Sequence, residues 1–191
     1  MTTLLPWLEE SLYRERLATL LRDVAAAPLT AVRYVAPSGG TWPEGHRADR
    51  GAHEVDMAVA LILGNGWVLA ASWAMDGLNE GLALQLTEPG DTPDLPGTAV
   101  DVSGRAEWSE YLGTTLTSIT SVTHVPNEGC PAMPWAFRLD FSAIPPVTVA
   151  LGESAGSGFT YMPDSLVVIF DEKEAAGYRI PASSESALGR R

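Results

Sequence analysis

Five consecutive residues, Gly152-Glu153-Ser154-Ala155-Gly156, carry the G-x-S-x-G spacing that sets a nucleophilic serine on a sharp strand-to-helix turn. The chemistry asks for more than the spacing. A helix must follow the serine, so that its N-terminus supports the turn and helps to place an oxyanion-binding amide. Here Ser157-Gly158-Phe159 leads to Pro163 and another apolar run, which leaves no room for that helix. The acid and then the histidine should also follow the serine, yet His46, His53 and His124 all precede it. Residues 152–156 therefore read as a loop between strands. A triad joining Ser154 to His53 or His124 would depend on spatial convergence that spacing does not supply.

Metal and phosphate chemistry find no better footing. In His53-Glu54-x-Asp56, strand alternation would send His53 and Glu54 to opposite faces, and His46 would have to come in from a loop. A single cysteine, Cys130, is too few for the usual structural zinc set or for an internal disulfide. Asp91-x-x-Asp94 lacks the ligand pattern of a calcium loop and suits a turn instead. Gly64-Asn65-Gly66 closes a hairpin and leads into no helix, so it is not a phosphate loop. Carboxylates are plentiful, which makes any one pair uninformative about glycoside chemistry. No catalytic, metal or cofactor set is expected, and the balance leans away from an enzyme.

Charge is the stronger lead. Residues 51–104 contain Glu54, Asp56, Asp76, Glu80, Glu88, Asp91, Asp94 and Asp101 but no Lys or Arg. The formal net charge is −12. That balance disfavours nucleic acid and anionic membrane surfaces, both of which need clustered cations. It favours a basic partner, with steering strongest at low salt. Asp76, Glu80, Glu88, Asp91, Asp94 and Asp101 are the expected contact surface. The concrete expectation is a cytoplasmic, immunity-type inhibitor that mimics phosphate charge against a basic toxin or nuclease. The plain alternative is that acidity only maintains solubility.

A second expectation comes from the aromatics. Trp67, Trp73, Trp135 and Phe137 occupy alternating positions of apolar runs. On inner faces they would pack a core, or wall a pocket in a barrel mouth suited to a small apolar ligand or to a non-nucleophilic enzyme.

The elements that must position these residues are mostly strands. Leu8, Leu12, Leu17, Leu20, Leu21 and Val24 recur at helical spacing, which predicts an amphipathic helix over 7–26, with Pro6 in its first turn and Pro28 ending it. Period-two alternation then predicts a meander over 57–63, 67–73 and 82–86. Further strands are expected near 32–35, 114–125, 135–141, 147–151 and 165–170, and a helical turn near 108–112. The connections are too short for crossover helices, so pairing should be antiparallel. The expected class is α+β, mainly β: a curled sheet or partly closed barrel of about seven or eight strands with one N-terminal helix, or alternatively a β-sandwich. Residues 1–181 should form one domain and 182–191 a disordered tail. No apolar run reaches the roughly 20 residues of a membrane span, and the start lacks a basic signal-peptide region.

Overall fold

The computed structural model describes residues 1–24, 26–40, 42, 47–48, 51–125, 130–155 and 158–178. The expected tail lies outside them, as do His46 and Gly156. Among the described residues fourteen strands and three helices follow one another: β1 (Thr2–Leu4), α1 (Glu10–Val24), β2 (Leu29–Ala36), β3 (Arg47–Ala48), β4 (Ala52–Val55), β5 (Ala58–Leu63), β6 (Val68–Asp76), β7 (Asn79–Thr87), β8 (Thr98–Asp101), α2 (Ala106–Ser109), β9 (Leu116–His124), β10 (Met133–Phe141), β11 (Ile144–Leu151), β12 (Glu153–Ala155), β13 (Gly158–Thr160), β14 (Leu166–Ile169) and α3 (Glu172–Ala176).

The protein is mostly β with antiparallel sheets, and the sheets are not closed into a barrel. One six-stranded sheet has the order β1-β7-β6-β5-β2-β8 and a second has β3-β4-β14-β11-β10-β9. Their inner faces share one core: Val59, Leu61, Leu69 and Leu84 of the first meet Leu139 and Val149 of the second. Two stacked sheets correspond to the sandwich alternative rather than to a single curled sheet. The strand count exceeds seven or eight because the short pieces β1, β3, β4 and β8 complete the two sheets and β12 and β13 form a separate hairpin.

The meander β5–β6–β7 forms as the alternation requires. Ala58 to Ile62 pair with Ser72 to Val68, and Asp76 pairs with Asn79 across the next turn. Gly66 and Gly77 take the positive φ values, 86° and 63°, that these tight turns demand. Helix α1 is shorter than 7–26. The Glu9 carboxylate accepts the Ser11 and Leu12 amides at 3.1 and 3.3 Å, which fixes its start. Its buried stripe, Tyr13, Leu17, Leu20 and Val24, packs against β1 and β9, the edge strands on that side of the two sheets. At one corner the Leu29 amide donates to Thr114 O at 2.7 Å and the Gly113 amide donates to Leu29 O at 2.8 Å, tying β2 to the start of β9.

The two outer faces are covered differently. Over the second sheet, Phe159 of β13, Ala175 of α3 and Tyr178 cover Ala136, Ala150, Val167 and Ile169. Asp171 caps α3 by accepting the Lys173 and Glu174 amides at 2.7 and 3.2 Å. Over the first sheet runs the connection 88–97, between β7 and β8.

Candidate functional site

Ser154 sits in the hairpin β12–β13, opposite Phe159, so a strand follows it and not a helix. Its amide donates to Glu54 Oε1 at 2.7 Å. On β4 the neighbouring His53 turns the other way, into the protein, at 1% exposure. Alternation thus separates His53 from both Glu54 and Ser154, as the sequence indicates. Among the described residues, no group of three or more His, Cys, Asp or Glu is placed to hold a metal ion.

His53 belongs instead to a polar chain inside an aromatic cluster. Trp108 Nε1 donates to Tyr34 Oη at 2.6 Å, and Tyr34 Oη lies 2.7 Å from His53 Nδ1. An indole can only donate, so the tyrosine hydroxyl accepts there and passes its own proton toward Nδ1. In a neutral ring the remaining proton then sits on Nε2, which is 3.4 Å from Glu107 Oε2. Burial holds the Tyr34 phenol well above its ordinary pKa, opposed by the Trp108 hydrogen bond and reinforced by Glu107. Trp42 and Phe170 pack edge-on or tilted around His53 at 5.0 and 5.1 Å, and the Arg105 guanidinium lies over Trp42 at 5.1 Å. Chemistry at His53 would need a substrate to reach a ring with almost no exposed surface. The arrangement is suited to fixing β2, β4 and α2 together.

The six acidic residues do not share one face. Asp76 and Glu80 flank the β6–β7 turn. Glu88 follows β7 at its far end, eight residues from Glu80 and so about 26 Å away along an extended strand. Its carboxylate pairs with the Met1 amine at 3.0 Å. Asp91 and Asp94 are exposed on the 88–97 connection. Asp101 is on β8, four strand spacings or about 19 Å from β7 across the sheet. It accepts the Ser103 amide at 2.9 Å, and Ser103 holds its pKa down with a smaller contribution from Arg33.

The aromatic set also divides. Trp135 and Phe137 are 1% and 0% exposed inside the core. Trp135 stacks on Tyr161 at 3.9 Å and meets the edge of His124 at 4.0 Å. Trp67 and Trp73 are half-buried against the core, with Trp73 Nε1 donating to Asp56 O at 2.9 Å. A space of about 10 Å³ between the sheets, bounded by Leu61, Leu69, Leu84, Leu139 and Val149, is at the lower limit for a single water. Trp135 and Phe137 thus lie inside the core, while Trp67 and Trp73 pack at its margin.

Open space lies elsewhere, where sequence reasoning did not look. One cleft, of about 410 Å³, lies between the 88–97 connection and the outer face of the first sheet. Another, of about 500 Å³, separates the start of α1 from β9 and β10. The first had a faint signal: Ala60 and Ala99 fill outward positions on its floor with side chains too small to cover the face themselves.

At the β6–β7 tip sequence reasoning named Asp76 and Glu80 but passed over the apolar residues beside them. Leu78, in the turn, is 68% exposed and Met75 is 48% exposed. Cys130 lies beside the turn, its Sγ 3.7 Å from Leu78 O. Burial, and secondarily the Glu80 carboxylate, raise the Tyr161 phenol well above its usual range, although the hydroxyl makes no hydrogen bond of ordinary geometry. Among the described residues no helix is long and apolar enough to cross a membrane. No family model, curated protein or solved structure matches this chain.

Proposed function

We propose that this chain is a binding protein that docks a basic protein on the β6–β7 tip, with an immunity-type inhibitor of a basic toxin or nuclease as the specific form. The observation that carries the reading is Leu78: a large apolar side chain, more than two-thirds exposed, between Asp76 and Glu80. Interfaces commonly bury an apolar centre inside a charged, solvated rim. The tip supplies both, on a rigid hairpin whose register is fixed along its whole length. The long-range field of a protein with net charge −12 would accelerate approach of a cationic partner.

The test compares the immobilised wild-type chain with Leu78→Asp and with Asp76→Lys/Glu80→Lys. The expected result is one basic protein retained by the wild type and lost by both variants. Its association rate should fall with added salt for the wild type and much less for the charge-reversed chain. Coexpression of the wild-type chain should then suppress that partner's toxicity. A partner set and association rates unchanged in both variants would remove the reading.

A further inference from the structure

The 88–97 connection has an unusual task. It joins β7 to β8, which are separated by three intervening strands of the same sheet, so it must travel about 19 Å across the outer face. Both ends are pinned. Glu88 is held by the Met1 amine, and Pro89 packs against Gly66, where a Cβ would come within 3.0 Å of the proline ring. At the other end Gly97 has φ +134°, and a Cβ there would lie 2.2 Å from Ala36 O. The strap therefore cannot slide freely. Beneath it lies a cleft of about 410 Å³, within the size range of small-molecule sites, whose floor includes the small residues Ala60 and Ala99.

The walls have a definite chemistry. Ile62 and Val68 on the floor and Leu95 on the strap are apolar. Arg33 rises from β2 beside them, between Ala60 of β5 and Asp101 of β8. It is the only Lys or Arg in the strands of this sheet. Asp101 attracts it but turns its carboxylate to Ser103, so no ion pair within 4 Å forms at Arg33 among the described residues. Asp91 also lines the cleft, on the strap, and both it and Arg33 are exposed. Of the two charges only the guanidinium can bind an anion, and its fork matches a carboxylate bidentately.

The geometry points to a binding site for a small amphipathic anion, its carboxylate on Arg33 and its hydrocarbon body between Ile62, Val68 and Leu95. This site is independent of the β6–β7 tip and stands or falls separately from it. Calorimetric titration of the full chain with octanoate, octanol and octylamine tests it. Octanoate should bind saturably at one site, octanol about tenfold more weakly, and octylamine more weakly still. Arg33→Gln should reduce octanoate to the affinity of octanol and leave octanol unchanged. Ala99→Phe, which fills the cleft from β8, should abolish both, with circular dichroism showing that each variant is folded. No saturable heat with octanoate, tightest binding by octylamine, or unchanged octanoate affinity in folded Arg33→Gln would overturn the assignment.

Discussion

Replacing Tyr34 by phenylalanine removes one oxygen and strands two buried partners. Trp108 Nε1 loses its acceptor and His53 Nδ1 loses its donor, in a region where all three side chains are at most 1% exposed. The ring contacts with Trp42 and His53, at 5.1 and 5.7 Å, are retained, so packing changes little. Each unsatisfied buried group costs about 1–3 kcal/mol, which gives about 2–6 kcal/mol for the substitution. Against a typical total stability of about 5–15 kcal/mol, that is a large fraction. For a chain of this size the melting temperature should fall by about 4–24 °C. Urea unfolding, followed by tryptophan fluorescence and near-UV circular dichroism, measures the cost, and an unchanged slope confirms a common denatured state. The double variant Tyr34→Phe/His53→Phe supplies the sharper comparison. Removing both partners abolishes the mismatch between positions 34 and 53 and leaves only the Trp108 N–H without its acceptor, so the double should cost less than the two singles combined. A loss below about 0.5 kcal/mol for Tyr34→Phe, or strictly additive singles, would refute the claim that this polar chain holds β2, β4 and α2 together.

His124 should make stability pH-dependent. Burial lowers its pKa from 6.5, and neither ring nitrogen has a hydrogen-bond partner among the described residues. The unfolded chain then binds the proton first as pH falls, so this contribution is intact above about 6.5 and declines as pH drops toward the folded pKa. Urea unfolding at about pH 7.5 and about pH 5 should show a smaller drop for His124→Phe than for the wild type, and an equal drop would contradict this. Two glycine substitutions should separate backbone strain from crowding. Gly77→Ala, at φ +63° with open space around it, should cost about 1–2 kcal/mol. Gly97→Ala meets Ala36 O and Val35 Cγ1 as well, so thermal melting should show a clearly larger loss, and equal losses would contradict the close approach of the strap to β2.

Local pattern made much of the architecture legible. The Gly64-Asn65-Gly66 turn, the alternation on both sides of it and the stripe of α1 each depend on neighbours a few residues away. Pro145 and Pro146 are informative in the other direction. They suggest a strand starting at 147, yet β11 begins at Ile144, because β14 pairs only with Thr148–Leu151 and leaves the proline positions without a partner on that side. What local pattern cannot carry is sheet order. Whether Asp101 converges with Glu80 or Glu88 depends on β7 and β8 being four positions apart, a fact set by pairings with β6, β5 and β2. Strand β4 was hidden for the same reason. Its four residues gain their identity from pairing with β14, more than a hundred positions later.

The unequal covering of the two sheets gives the functional readings a common physical basis. On the second sheet the outer alanines Ala136 and Ala150 are capped by Phe159 and Tyr178, large rings that fill the space small residues leave. On the first sheet Ala60 and Ala99 lie under a proline-containing strap, and part of the space stays open. Enlarging outward residues such as Ala60 and Ala99 would fill that opening at little cost to the shared core, which lies on the opposite side of the same strands. The sheet does not need the cleft to fold, and it does not need Leu78 at a fully exposed turn either. The exposed guanidinium in the one place and the exposed leucine in the other are the groups that the proposed anion and the proposed partner would cover.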